Sequence, residues 1–247
     1  MANRIVFGWH TLQAMLDRHP QQVLELFVLT ERRDERAQKL LATASILGLA
    51  VHLRQREQMD KLCESTQHQG VAARVRELPV ADEHDLGDLL DAISVPPFLL
   101  LLDGVTDPHN LGACLRSADA AGVHAVVAPR DRAAGLSAVA RKVAVGAAEV
   151  LPFIQVTNLA RCMSMLAERG VFLVGLAAEA EAGDLYACDL RGSLGLVLGA
   201  EGDGLRRLTR ERCDRLVRIP MHGHVESLNV SVAAGVTLFE ALRQRSA

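Results

Sequence analysis

Ser227-Leu228-Asn229-Val230-Ser231-Val232-Ala233-Ala234-Gly235 closes a set of three segments whose reading decides the fold. The earlier members are Asn110-Leu111-Gly112-Ala113-Cys114-Leu115-Arg116-Ser117-Ala118 and Gly199-Ala200-Glu201-Gly202-Asp203-Gly204-Leu205. Each sits where a strand-like or extended run gives way to a loop and a helical pattern, the position at which α/β folds gather ligands outside the carboxyl ends of their strands. Three distant segments at such junctions predict one shared pocket.

Working outward, the apolar run Phe98-Leu99-Leu100-Leu101-Leu102 reads as a buried strand that leads through Asp107-Pro108 into a helix, with Asn110 as a favourable N-cap. Leu111, Cys114, Leu115 and Ala118 make the buried stripe of that helix, and Gly122 ends it before the strand Ala125–Ala128. Further strands are expected over Leu151–Val156, Val171–Leu176, Leu194–Leu198 and Leu216–Ile219, separated mostly by helical patterns such as Asn158–Arg169. Strand and helix alternate, which predicts a mainly parallel sheet.

Upstream, Val23–Leu29, Leu49–Leu53 and Gly70–Val75 read as strands, and Asp34–Leu47 and Arg56–Cys63 as helices, a small αβ module. Residues 1–76 carry 11 Lys or Arg against 8 Asp or Glu, residues 77–97 carry six acids and no base, and residues 98–247 carry 16 of each. The acidic stretch, bracketed by Pro79 and Pro96-Pro97, reads as a linker with a short helix in it. The expected organisation is a first domain over 1–76, an acidic linker over 77–97 and an α/β domain over 98–247.

Composition narrows the chemistry. At 247 residues and 49% hydrophobic content the chain can bury a substantial core. No apolar run approaches the roughly 18 residues of a membrane span and no signal-peptide core is seen, so a cytosolic location without membrane contact is expected. Cys63, Cys114, Cys162, Cys188 and Cys213 form an odd set without a C-x-x-C pair, the pattern of reduced thiols buried as small apolar residues. His222-Gly223-His224 lacks a third ligand at recognisable spacing, and no metal is expected.

The glycines of Gly199–Gly204 run G-x-x-G-x-G, neither the dinucleotide fingerprint nor a P-loop, so nicotinamide and P-loop readings lose their main support. Such a loop lets a ligand approach backbone closely, and Glu201 within it is costly unless exposed or paired. Asn229 and Ser231 are candidate caps of the last helix, and Arg116 lies off its helix's apolar stripe, where an i, i+3 pair with Asp119 is the simplest alternative. In the first domain Arg32, Arg33, Arg36, Arg54 and Arg56 follow strands, so loop-borne guanidinium groups could grip phosphate oxygens; the alternative is a solvated mixed-charge face. Only Lys39, Lys61 and Lys142 of the 27 cations are lysines, so planar donors dominate. Aromatic content of 3% speaks against base-stacking modules.

Together the three segments resemble motifs one, two and three of the SpoU (TrmH) family of RNA 2′-O-ribose methyltransferases. The likeness extends to Leu102–Asn110, His68-Gln69-Gly70-Val71-Ala72-Ala73 and Gly8-Trp9-His10, covering about residues 5–245, and is nearest the branch acting on guanosine in bacterial 23S rRNA. What the resemblance implies is a SPOUT-type α/β domain with a deep trefoil knot, preceded by a ribosomal-protein-like RNA-binding domain. It also implies a homodimer through the knotted domain and S-adenosylmethionine as methyl donor. By position, Gly199, Ile219 and Leu228 match that family's cofactor contacts, and Asn110, Arg116, Glu201, Ser227 and Asn229 its active-site positions. The implied reaction is methylation of a guanosine ribose 2′-hydroxyl in the peptidyl-transferase region of 23S rRNA, free or in a ribosomal precursor.

Such a reaction must orient the hydroxyl in line with the methyl and stabilise negative charge on the attacking oxygen. A guanidinium with a pKa above about 12 is a poor proton acceptor, so Arg116 is assigned to the adjoining phosphate and the developing alkoxide, with Glu201 and Asn110 holding the network. Alternatives at this point are the same chemistry on tRNA, an RNA-binding assembly factor without catalysis, and a nucleotide-dependent oxidoreductase.

Overall fold

Short runs rich in apolar residues build the first sheet from β1 (Asn3–Phe7), β2 (Val23–Leu29), β3 (Ala50–Arg54) and β4 (Val71–Arg76), with apolar side chains on both faces. In the computed structural model, which describes residues 3–77, 80–178, 182–200, 202 and 204–246, their order is β1-β4-β2-β3, with β2 and β3 parallel and the other pairs antiparallel. Leu12, Met15 and Leu16 of α1 (Trp9–Arg18) and Leu40 and Ala44 of α2 (Glu35–Ile46) cover one face, against Val6, Leu26, Val28, Ala73 and Val75. Met59 and Cys63 of α3 (Arg56–Cys63) cover the other, against Phe27, Leu29 and Ala72. Asp34 caps α2 by accepting from the Ala37 N–H, and Gln55 and Gln58 form a capping box at the start of α3.

The second unit begins earlier than its apolar strand. Residues 80–144 and 151–247 cluster as one unit, and residues 145–150 go with the first. The acidic stretch read as a linker thus contributes a packed helix, α4 (Glu83–Ala92), whose Leu86 is fully buried. Ala81 bridges to Ile154, and Glu83 and Asp91 pair with Arg161 and Arg169, each at 2.6 Å. Its acids face water or arginines while Leu86, Leu89 and Leu90 reach the core.

From there the chain runs through β5 (Phe98–Asp103), α5 (Pro108–Ala120), β6 (Ala125–Pro129), α6 (Ala138–Ala144), α7 (Ala147–Val150), β7 (Phe153–Val156) and α8 (Leu159–Glu168). It continues through β8 (Phe172–Leu176), β9 (Gly183–Asp184), β10 (Leu194–Gly199), α9 (Arg207–Glu211), β11 (Arg215–Arg218) and α10 (Val230–Arg245). The seven strands form one sheet in the order β7-β6-β5-β10-β8-β11-β9, and every described pair is parallel. α4 and α8 bury Leu86, Leu159, Cys162, Met163 and Leu166 against Leu99, Leu101, Val127 and Val197. α10 packs on α5 and β10. At 1.5–3 kcal/mol for each large apolar side chain buried, as a rough rule, this core outweighs any single loop contact. Because β10 lies between β5 and β8, loops from distant parts of the chain leave the sheet side by side.

Candidate active site

At the carboxyl ends of β8, β10 and β11 a cavity of about 830 Å³ opens. Leu176 and Ala177 contribute from β8 and its exit, Leu198 and Gly199 from β10, and Arg218 and Ile219 from β11 and its exit. The segment Ser227-Leu228-Asn229, with Val230 and Ala233 of α10, completes the wall. Gly199, Ile219, Leu228, Ser227 and Asn229, five of the eight positions expected in the active and cofactor sites, line this one space.

The glycine loop is shaped by close backbone approach. A Cβ on Gly199 would lie 2.1 Å from the carbonyl carbon and oxygen of Gly204 and 2.4 Å from the Leu205 nitrogen, so no other residue fits there. The loop closes on itself through the Gly204 N–H, which donates to the Ala200 carbonyl at 3.0 Å, and Gly202 and Gly204 both have positive φ. Glu201 lies outside the described residues.

Asp103, at the end of β5 and in register with Gly199 on β10, holds the loop's far foot. It is 1% exposed, and its Oδ2 accepts from the Arg206 N–H at 2.8 Å while Oδ1 lies 3.5 Å from Arg206 Nη1. Gly104 (φ 85) leaves room for that guanidinium, since a Cβ there would sit 3.0 Å from Nη2. A buried carboxylate with one charge-assisted hydrogen bond and one nearby guanidinium fixes the loop in place.

Asn110 is not the helix cap that its sequence position suggests. Asp107 caps α5 by accepting from the His109 N–H at 2.9 Å, and Pro108 takes the first helical position, where a missing N–H costs nothing. Asn110, inside the first turn and 9% exposed, is freed for another partner. Its Oδ1 accepts from Nδ2 of Asn229 at 3.0 Å. Asn229 in turn caps α10, its Oδ1 accepting from the Ser231 N–H at 2.9 Å and from the Ser231 hydroxyl at 2.6 Å. One amide side chain thus starts a helix and ties it to another helix 119 residues away in sequence.

Arg116 is exposed on α5 and does not line the cavity of the single chain. Gly112 lets α6 approach α5, since a Cβ there would meet the Ala140 carbonyl at 2.5 Å. Sequence reasoning missed Asp103, Arg206, Arg210, Arg218 and Glu226, the last three lining the cavity. The carboxylate that ends a five-residue apolar run was the available signal for Asp103. Among the described residues no group of three or more His, Cys, Asp or Glu side chains is assembled for a metal, and no helix is long and apolar enough to cross a membrane.

In the first unit Arg32 and Arg56 line a second cavity of about 280 Å³ beside His68 and Gly70, whereas Arg33, Arg36 and Arg54 do not. Arg33 and Arg36 are exposed, and Arg54 lies over the Phe27 ring at 5.8 Å.

A parallel sheet with a glycine-loop cavity and an Asn–Asn bridge at its carboxyl edge makes a ligand-binding α/β domain, and similarity to known proteins says of which kind. Residues 97–239 match the SpoU rRNA Methylase family, and residues 5–81 match the RNA 2′-O ribose methyltransferase substrate-binding family. The chain belongs to the SpoU rRNA methylase family and is a methyltransferase. It is 55% identical over 241 residues to the 23S rRNA (guanosine-2′-O-)-methyltransferase RlmB of Shewanella oneidensis, covering 98% of this chain and 97% of that one. To RlmB of Escherichia coli it is 53% identical over 244 residues, 99% and 100% of the two chains. Among solved structures it is similar to the SpoU methyltransferase AviRb of Streptomyces viridochromogenes in complex with AdoMet, with a TM-score of 0.77 and 26% identity over 98% of this chain and 90% of that one.

Proposed function

We propose that the chain methylates the ribose 2′-hydroxyl of a guanosine in the peptidyl-transferase region of 23S rRNA, free or in a ribosomal precursor, in the cytoplasm. The observation that carries this reading is the single cavity to which Gly199, Ile219, Ser227, Leu228 and Asn229 converge, with Asn110 hydrogen-bonded at its edge. Near-full-length identity of 53–55% to enzymes named for that guanosine reaction supports the substrate over tRNA.

S-adenosylmethionine supplies the electrophilic methyl when bound. The cavity suits it: its volume of about 830 Å³ is within the range of small-molecule sites, and apolar Leu176, Leu198 and Ile219 alternate with polar Ser227, Asn229 and Glu226. Gly199, Ile219 and Leu228 would hold it. Asn110 and Asn229 fix each other's orientation, so an incoming ribose meets amide groups whose rotamers are already set. Arg116 grips the neighbouring phosphate and stabilises the alkoxide, and Glu201 completes the network.

Because Arg116 is exposed and lies outside the single-chain cavity, the reading includes a homodimer through the second unit that brings Arg116 to a complete site. Exposed Val232 and Phe239 on α10 support such an apolar interface. A deep trefoil knot in this unit is part of the same reading, supported by the insertion of β10 between β5 and β8 and by the cavity that Gly199, Ala200, Gly202, Gly204 and Leu205 line together with residues 218–222 and 226–230. The first domain expected from the sequence, residues 1–76, which lies within the first unit, holds the RNA.

The test is methyl transfer from tritiated S-adenosylmethionine to unmodified 23S transcript and to tRNA, with the label mapped by primer extension at low nucleotide concentration. Label on one 23S guanosine is expected. Label confined to tRNA, or no heat on titration with S-adenosylhomocysteine, overturns the reading.

A further inference from the structure

We infer that the cavity beside His68 in the first unit is a binding site for one RNA backbone phosphate, with the Arg32 and Arg56 guanidinium groups as its donors. This rests on the reading of the first unit as the part that holds RNA.

Three segments meet there. Arg32 follows β2 and Arg56 opens α3, and both line a space of about 280 Å³ with Thr66 and the turn His68-Gln69-Gly70. The volume falls just under the usual range for whole small-molecule ligands, roughly 300–1,000 Å³, and suits an end group. Two planar cations and a hydroxyl match the oxygens of a phosphodiester, which a guanidinium fork can hold by two parallel hydrogen bonds.

The turn that floors the site is held by an interior histidine. His68 is 1% exposed, and its Nδ1 accepts from the Gly70 N–H at 2.9 Å. That leaves the ring proton on Nε2, which donates to Asp60 Oδ1 at 2.9 Å, so the imidazole spends both nitrogens on the architecture. It sustains a left-handed conformation at Gln69 (φ 56), which a non-glycine residue rarely adopts, and another at Gly70 (φ 83). Backbone strain of this kind persists where surrounding structure over-determines it, and it gathers at ligand sites. At Gly70 the strain has a visible use: a Cβ there would sit 3.2 Å from Leu29 Cδ1 and 3.5 Å from Cδ and Nε of Arg32. The bare backbone lets the arginine stem lie against the turn.

Arg32 is aimed before any ligand arrives. Its Nε is 3.0 Å from Asp34 Oδ2 and its Cζ lies 5.4 Å from the centre of the Trp9 ring. One of its five N–H donors is engaged and four are left for an anion. Among the described residues Arg56 makes no salt bridge. Arg32, held in this way, loses little side-chain freedom on closing on a phosphate, and the exposed Arg56 guanidinium is the partner that swings in.

The experiment uses the full chain and a fluorescein-labelled hairpin of 23S rRNA, with anisotropy measured across a salt series. Arg32→Gln and Arg56→Gln should each weaken binding about 5- to 10-fold near 0.1 M salt and flatten the slope of log K against log salt by about 0.7–0.9. Lys39→Gln, which removes an exposed cation of the same unit paired with Glu35, should leave the slope unchanged. Arg56→Lys should keep the slope and lose affinity, because the charge remains and the fork is gone. Melting temperature, read for every variant, separates loss of the site from loss of fold. Wild-type slope and affinity in both glutamine variants overturn the site. A wild type that binds with arginine-dependent slope but transfers no methyl overturns the functional reading and leaves the site standing; a wild type that does not bind the hairpin overturns both.

Discussion

The two cavities are built from opposite materials. In the second unit the walls are loops whose shape is fixed by backbone approach, with Gly199 pressed on Gly204 and the loop's foot clamped by Asp103. In the first unit the walls are long side chains, Arg32 and Arg56, standing over a turn set by a buried histidine. The first kind of site tolerates no added atom and suits a ligand of one shape. The second tolerates sequence change but answers to charge and salt.

Adding one methyl group tests that contrast most severely. Gly199→Ala puts a Cβ about where the Gly204 carbonyl stands, so the loop must move. S-adenosylhomocysteine affinity by titration calorimetry is expected to fall at least about 100-fold, near 3 kcal/mol at 1.4 kcal/mol per factor of ten. RNA affinity should change little. Equal losses in both would show that the cavities are not independent.

Arg116→Lys is the next largest. A single-turnover methylation rate about 100-fold lower at neutral pH is expected, because a lysine keeps the charge without the planar fork. A rate near wild type would remove the bidentate role from Arg116.

Asn229 separates two duties of one residue. Asn229→Asp retains an oxygen for the Ser231 N–H but removes the donor to Asn110, so the melting temperature should hold while the turnover rate falls roughly 10- to 100-fold. Asn229→Ala should lose both, with about 1 kcal/mol of helix capping added. A Tm loss without a rate loss in the aspartate variant would make the bridge structural only. Asp103→Asn is milder, since the acceptor for the Arg206 N–H survives and only the charge is removed. About a 3- to 10-fold rise in KM for S-adenosylmethionine, with kcat held, is expected from the smaller cost of a neutral hydrogen bond in place of a charged one.

The sequence made the strands and the junctions legible because both are local. Short apolar runs gave β2 and β4, the run 98–102 gave β5, and glycines after strands marked the loop that lines the larger cavity. What stayed hidden is long-range competition. Asn110 looked like a cap until Asp107 and Pro108, three and two residues earlier, took that role. The acid-rich stretch looked like a linker because its charges outnumber its leucines. Leu86, Leu89 and Leu90 lie at helical spacing, and the arginines that neutralise its acids come from α8 and its exit. Five arginines looked equivalent by composition, and only folding brings two of them to one cavity.

The smallest expected effect is none at all, and it tests whether either site hides a nucleophile. Burial pushes the Cys63 thiol of α3 up to about 11, with the Asp60 charge adding to it, and pushes Cys162 and Cys213 in the second unit up to about 12. Cys188 is raised as well, again by burial. A thiol reacts as its thiolate, and at pH 7.5 a group with a pKa of 11–12 is ionised to less than about one part in a thousand. Methylation and RNA binding should therefore survive prolonged treatment with iodoacetamide at that pH. Inactivation that S-adenosylhomocysteine prevents would instead place a reactive thiol in the larger cavity, and the backbone-built site would then contain chemistry that its walls do not display.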